Sequence, residues 1–563
     1  MNRVWLRWGM LLTMVTGAWA ADPVAPGRRG MVATVQPVAT QAGLDALKAG
    51  GNAVDAAIAC ALTLGVVDGH NSGLGGGAFM TLRLADGSLW ALDGRETAPA
   101  AARTDLYLTN GTPDPRRSQD GALAVGVPGE LALLAYASTN FGRLPMSRLL
   151  EAAARVASNG FALDRHYASR LDATRQELAA FPATRAIFLK PNGTPWQAGD
   201  RLVQTDLAAS YRALAGTGPE WFYRGPFAQR TDAWMKANGG VLSAADFARY
   251  TVRVLDPVQG TYRGWEIVSF PPPSSGGVHV IEILNILENF DLRALGDRSP
   301  EFVHLVTEAM KRAFADRAHW LGDPDFAPVP MGLISKAYGQ ELARQIRRDR
   351  ATGVSGSGVP PRATNEVFAG DISRHTTHFS TADAEGNWVA CTASLNTSFG
   401  SKVVIPGTGI LLNNHMDDFS IQPGIPNAFG LVGAAANAIA PGKRPLSSMS
   451  PTLLLRNGRP VLSVGAAGGP TIISQTLLAI LRTVDFGQPP GDALRGPRFH
   501  HQWRPDELHV EAALGDTVIA ALRALGHTVV VEPSLGAAQA VGIEAGALVG
   551  AADPRGEGSA AGW

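Results

Sequence analysis

From Trp388 to Asn396 the chain alternates. Val389, Cys391, Ala393 and Leu395 are apolar, while Thr392, Ser394 and Asn396 carry side-chain oxygens. A period of two marks a strand with a different environment on each face. The five residues before it, DAEGN (383–387), read as a turn, and TTHFSTA reads as the partner strand. With the turn unpaired, Ala382 faces Trp388 and, counting outward, Thr376 faces Ser394. Elsewhere the pattern is helical. Residues 39–66 predict two helices. ATQAGLDALKAGG stops on Gly50-Gly51, and NAVDAAIACALTLGVV follows with Asn52 as its cap. SGLGGGAFMTLRLADGSLWALDGRETAP predicts a glycine loop and a hairpin turning at Asp86-Gly87.

Residues from about 130 to 350 read as mostly helical, as in MSRLLEAAARVASNG and EFVHLVTEAMKRAFADRAHWLG. Between these, SFPPPSSGGVHVIEILNILENF predicts a loop that feeds a helix. Residues 352–365, TGVSGSGVPPRATN, predict an exposed, mobile tether. Beyond Thr376 strands and turns dominate until TIISQTLLAILRTVDFG, a helix, and GDTVIAALRALGHTVVVEP reads as helix, glycine stop, strand. No internal repeat is visible. Helices on both sides of a strand-rich centre predict sheets sandwiched between helices.

Composition narrows the function. The 563 residues are 45% hydrophobic, and Lys+Arg and Asp+Glu both number 49. That balance argues against a general binder of nucleic acid or anionic membrane. The start, MNRVWLRWGMLLTMVTGAWAADP, pairs Arg3 and Arg7 with a short apolar run and Ala18-Trp19-Ala20. It predicts a signal peptide over 1–20 rather than a membrane anchor, and hence a periplasmic or secreted protein. Cys60 and Cys391 both fall on apolar faces and read as buried free thiols rather than a bridge.

A hydroxyl is a weak nucleophile without a base beside it. A chain-terminal threonine supplies its own, the α-amine, which ordinarily titrates at about 7.7–8.0. A disposable tether just before Thr376 is what uncovering such an amine would need. An ordinary polar-faced hairpin fits the same residues.

The blocks GGNAVDAAIA, GLGGGAFM, DGRETAP, GVPGE, PPPSSGGVH, GILLNNHMDDFS, PGKRPLSSMSPT, GAAGGPTII and PRFHHQW occur in this order around TTHFSTADAEGNWVACTASLNTSFGS. Together, over about residues 30–560, they resemble the γ-glutamyltransferases (glutathione hydrolases), a branch of the N-terminal nucleophile hydrolases. The resemblance implies an αββα sandwich. It also implies a precursor cut at His375/Thr376 into a large subunit (21–375) and a small catalytic subunit (376–563) that stay together as one compact domain. Thr376 is then the nucleophile and Ser394 the hydroxyl bonded to it, where the family usually has threonine. Gly468 and Gly469 supply the oxyanion hole. Arg95, Ser447 and Ser448 hold the substrate α-carboxylate, and Asn396 and Asp418 hold the α-amino group. The implied partners are a small γ-glutamyl donor such as glutathione and an amino-acid or peptide acceptor. No cofactor, metal or nucleic acid is implied.

His415 in NNHMDD stands where the family has Gln or Glu. A neutral imidazole accepts a bond from an ammonium, and a protonated one repels it. With an ordinary pKa of about 6.5, His415 predicts weakening γ-glutamyl recognition between about pH 7 and 5.5. An acylase of the same fold acting on glutaryl or other amide side chains is the alternative enzyme, and a catalytically silent amino-acid binder the alternative outside enzymes. QPGIPNAFG (422–430) resembles a lid loop, with Phe429 in place of tyrosine. His375 and His378 would face opposite sides of a strand, and His500-His501 lack spaced partners, so none of them predicts a metal site. GLGGG lacks the Gly-Lys-Ser/Thr of a phosphate loop and predicts a close backbone approach near the substrate.

Overall fold

The computed structural model describes residues 23–361, 376–420, 427–428, 430–431 and 434–563. The alternating segment forms the hairpin Thr377–Asp383 and Trp388–Ser394. Ala382 pairs with Trp388 and Thr377 with Ala393, the register counted from the sequence. This hairpin is the centre of a seven-stranded sheet. Gly30–Thr34 and Ser559–Gly562 lie on one side, and Gly77–Arg83, Leu89–Gly94 and Arg253–Leu255 on the other. Every pairing in it is antiparallel.

The polar face of the hairpin does not meet water. It meets a second antiparallel seven-stranded sheet through Arg459–Ala467. Ser463 Oγ donates to the Val389 carbonyl at 3.0 Å and stands 2.8 Å from Ser380 Oγ, whose hydroxyl it pairs with. Opposite His378 the second sheet has Gly465, where a Cβ would stand 2.4 Å from the imidazole. The buried ring is bonded by Thr392 at 2.8 Å and Ser380 at 3.2 Å. Burial pushes its pKa down to about 3, so it stays neutral. Hydroxyls and small residues therefore let two sheets face each other with their polar atoms satisfied.

The apolar face packs against the helices Pro37–Lys48 and Ala53–Val67. Asn52 caps the second of these, its Oδ1 accepting from the backbone N–H of Val54 and Asp55 while Asp55 returns a bond to the Asn52 N–H. Every residue of Ala53–Val67 is buried. That is why its sequence is apolar all round. Cys60 and Cys391 are both buried and free, and burial keeps both thiols protonated. The second sheet is covered by Gly276–Leu287, Pro300–Trp320 and Thr471–Val484. Helix, sheet, sheet, helix is the predicted αββα sandwich.

The middle is mostly helical, as expected, and it also contains the strands Arg253–Leu255, Val258–Tyr262 and Trp265–Ser269, which extend both sheets. They are short and interrupted by Pro and Gly, so long-range pairing rather than local pattern makes them strands. The segment 352–361, expected as an exposed, mobile tether, is only partly exposed and is bonded to its neighbours. Thr352 N–H donates to Glu308 at 3.2 Å, Gly358 N–H to Asp316 at 2.6 Å, and Trp503 Nε1 to the Val354 carbonyl at 2.7 Å. Its peptide groups have no ladder, and neighbouring side chains supply their bonds instead. Residues 362–375, the expected signal peptide (1–20) and most of the lid segment, Phe429 included, lie outside the described residues.

Candidate active site

Thr376 immediately precedes the central strand and is 6% exposed. Its Oγ1 stands 3.3 Å from Ser394 Oγ, so one step beyond the last ladder pair the two hydroxyls meet as counted. Ser394 Oγ also accepts the Asn396 N–H at 2.8 Å. That bond is possible because Asn396 leaves the strand with φ 86, a left-handed conformation Asn tolerates better than most residues. From behind, the glycine loop presses on this turn, and a Cβ on Gly76 would fall 2.2 Å from the Ser394 carbonyl. This is the close backbone approach that GLGGG predicted.

The strand Arg459–Ala467 of the facing sheet runs into Gly468, Gly469 and Pro470, and then the helix Thr471–Val484. Gly468 has φ 133 and Gly469 φ 56, and a Cβ on Gly468 would come 2.4 Å from Thr471 Oγ1. Both positions therefore require glycine. Gly469 lines the same cavity as Thr376 and Ser394, at the positive end of a 14-residue helix; Gly468 is not among the lining residues.

The cavity also holds charge. Arg95 is buried, and its guanidinium is bonded to Asp418, to the Leu446 carbonyl at 3.2 Å and, through Nε, to the Pro445 carbonyl at 3.1 Å. Asp417 turns away to Ser118 at 2.5 Å and the Ala428 N–H at 2.6 Å, and burial pushes its pKa up to about 7. Of the adjacent acids, Asp418 alone lines the cavity. Ser447, Ser448, Asn396 and His415 line it too, so the structure brings together every described residue expected there except Gly468.

Arg317 was not anticipated. It lines the cavity, donating from Nη2 to Ser448 Oγ at 3.0 Å and from Nε to Ser275 Oγ at 2.8 Å. Ser275 in turn donates to the Ser447 carbonyl at 2.7 Å. Arg317 thus bolts the two serines to the helix Pro300–Trp320. Burial pushes its pKa down to about 10, against the pull of Asp418. The sequence held a signal: Arg317 falls four and seven residues after Ala313 and Met310, on the apolar stripe of its helix. A charge there is costly unless it is paired or used. Arg317→Met keeps most of the apolar bulk and frees Ser448. It should lower kcat/KM for a donor bearing an α-carboxylate by roughly ten- to a hundred-fold, the worth of a charge-assisted bond of about 1.5–3 kcal/mol. Steady-state kinetics identical to wild type would remove Arg317 from the site.

His415 is buried with its Nδ1 2.8 Å from Glu96 Oε1. Burial, helped by the Arg95 charge and opposed by Asp418, holds the imidazole pKa well below its ordinary value. This overturns the expected protonation of His415 between about pH 7 and 5.5, because desolvation outweighs the neighbouring carboxylate. His500 and His501 are held in structural bonds. His500 is bonded by Ser474 at 2.9 Å and Gln502 at 3.0 Å, and His501 by Asp506 at 3.0 Å. Among the described residues one buried cluster, His304, Glu308 and His527, has ligand-like spacing. Its two rings already bond each other at 2.8 Å, and Glu308 is paired with Lys311 and Arg312. Two cations at the carboxylate make it a satisfied polar network, ill suited to a metal ion.

The model of the family described as Gamma-glutamyltranspeptidase matches residues 39–563. The chain is 42% identical over 536 residues to the glutathione hydrolase proenzyme of Escherichia coli (strain K12), covering 94% of this chain and 90% of that protein. It is 39% identical over 546 residues to the acylase ACY 1 proenzyme of Pseudomonas sp. (strain SE83), covering 95% and 94%. Its structure resembles the cephalosporin acylase from Bacillus halodurans with a TM-score of 0.86, 29% identity and 99% of each chain covered. A match running nearly the full length, together with the fold and the gathered side chains, shows that the chain belongs to the gamma-glutamyltranspeptidase family.

Proposed function

We propose that this protein is an exported, self-processing γ-glutamyltransferase and glutathione hydrolase, cut at His375/Thr376 into subunits 21–375 and 376–563. The observation that carries this reading is one cavity lined both by a paired threonine–serine hydroxyl and by Arg95, Asp418, Ser447 and Ser448. An α-amino acid head is a carboxylate beside an ammonium. Arg95 and Asp418 already form a buried ion pair of the same two charges. A γ-glutamyl head replaces that one pair by two complementary ones and leaves no buried charge unpaired. The α-carboxylate goes to Arg95, Ser447 and Ser448. The α-ammonium goes to Asp418, Asn396 and His415.

In the reaction Thr376 Oγ attacks the γ-carbonyl and its proton passes to the freed α-amine of Thr376. The N–H groups of Gly468 and Gly469, at the helix N-terminus, take the oxyanion. Collapse expels the donor's amine part, which takes up that proton and leaves a γ-glutamyl ester on Thr376. Water, or the amine of an amino acid or peptide, then attacks the ester. The proenzyme names of relatives support the single precursor. Among the described residues no helix is long and apolar enough to cross a membrane.

The acylase reading has its own support in His415 and in the acylase relatives. Turnover of γ-glutamyl and glutaryl anilides separates the two. The γ-glutamyl anilide should have the higher kcat/KM. Turnover of the glutaryl anilide alone would make the protein an acylase, and turnover of neither a binder.

A further inference from the structure

Glu96 follows Arg95 directly, yet its carboxyl group lies in a pouch of its own. A Cβ on Gly77, the last glycine of GLGGG, would stand 2.5 Å from Glu96 Oε2, and one on Gly126 would stand 2.9 Å from Glu96 Cβ. Two glycines thus make room for one fully buried carboxyl. Apart from its own backbone N–H, the Glu96 carboxyl has no aligned hydrogen-bond partner. Arg95 Nη1 stands 3.6 Å from it and His415 Nδ1 2.8 Å. At 2.8 Å the Glu96 carboxyl is within hydrogen-bond reach of His415 Nδ1, which has no other partner. His415 lines the cavity, and with Nδ1 turned to Glu96 its Nε2 is the ring nitrogen left to face substrate.

We infer that Glu96 and His415 form a proton-bearing couple that sets the polarity of Nε2: an acceptor when the donor carries an α-ammonium, and a hydrogen-bond donor when it does not. Glu96 acts through the ring and is a positioning residue. This deepens the γ-glutamyl reading and rests on it. With no ammonium in the cavity, the Glu96 O–H donates to Nδ1, so the neutral ring carries its proton on Nε2. When an α-ammonium binds, the Nε2 proton leaves to solvent and the carboxyl proton moves to Nδ1. Nε2 then offers its lone pair to the ammonium, and the Glu96 carboxylate is balanced by the new positive charge. One proton is released for each ammonium bound, and no other bond changes.

The surroundings suit a carboxyl poised near neutrality. Burial pushes the Glu96 pKa up to about 8, against Arg95 and Arg444. The other groups facing it are Glu130, itself pushed up to about 8 by burial, and Tyr223 and Tyr250. Around His415 they are Arg95 and Asp418. An adjustable nitrogen fits a chain that lies close to both glutathione hydrolases and acylases.

The test is calorimetric titration of the mature enzyme at pH 7 with L-glutamate and with glutarate, each in two buffers of different ionisation enthalpy. L-Glutamate should release about one proton more than glutarate. Glutarate shares the carboxylates and any response of the Thr376 amine, so the difference isolates the ammonium. The difference should vanish in Glu96→Gln and in His415→Gln. The same linkage makes KM for a γ-glutamyl anilide, relative to a glutaryl anilide, rise as pH falls below about 8, approaching about tenfold per pH unit. Equal proton counts for the two ligands overturn the inference. So does a difference that survives in the variants, since the proton would then come from the ligand's own ammonium. If Glu96→Gln does not fold, His415→Gln carries the test. Normal γ-glutamyl turnover with equal proton counts removes this inference alone. No L-glutamate binding together with no γ-glutamyl turnover removes the underlying reading as well.

Discussion

Thr376→Ala should leave the precursor in one piece and without measurable activity. On the proposed mechanism the same hydroxyl attacks the His375 carbonyl during maturation and the γ-carbonyl during turnover, so one substitution stops both. Loss of a covalent nucleophile costs on the order of 10⁶ in rate elsewhere, and here the base is lost too, because an uncut chain never frees its α-amine. The fold should survive. The substitution removes one hydroxyl and one methyl, and Ser394 Oγ keeps the Asn396 N–H at 2.8 Å. Denaturing electrophoresis should show a single band for Thr376→Ala and two for wild type, with thermal midpoints of the two proteins within a few degrees of each other. Thr376→Ser keeps the hydroxyl and should still be cut. A Thr376→Ala chain that matures and turns over substrate would remove Thr376 from both roles.

Arg95→Lys should lower kcat/KM for a γ-glutamyl donor by roughly ten- to a hundred-fold, mostly through KM. A lysine presents a point charge where the guanidinium presents a planar fork to a carboxylate. A charge-assisted contact worth about 1.5–3 kcal/mol sets that range. The structure adds a second cost, since Arg95 also donates to the Pro445 and Leu446 carbonyls, which position the serine pair. Lysine is a cleaner probe than methionine, which would leave Asp418 buried opposite no charge. Maturation should be normal, because neither Thr376 nor Ser394 is bonded to Arg95. Unchanged kinetics would remove Arg95 from substrate binding.

Local chemistry made the hairpin legible. Alternation fixed which residues share a face, and the five-residue turn fixed that Thr376 meets Ser394. The Asn52 cap and the glycine entry at 468–469 were readable for the same reason, as both are set within a few residues. What escaped depends on distant parts of the chain. The place of Arg317 on an apolar stripe hints that it is used, but what it holds is settled only when Ser275 and Ser448 arrive from two other loops. Glu96 was passed over beside Arg95, and its role appears only once Gly77 and Gly126 shape a dry pouch against His415. The ordinary pKa expected of His415 was wrong because a sequence gives an ionisable group's neighbours along the chain but not its desolvation. Residues 352–361 have a linker's composition, yet Glu308, Asp316 and Trp503 hold them.

The central claim is that Thr376, freed by self-cleavage, carries the acyl group. The direct measurement is the mass of the mature protein's chains after treatment with an electrophilic glutamine analogue, followed by sequencing of the modified peptide. Two chains are expected, the smaller beginning at Thr376 and bearing one adduct on that residue, with activity lost in step with labelling. A single uncut chain that turns over a γ-glutamyl donor, or an adduct on any residue other than Thr376, would contradict it.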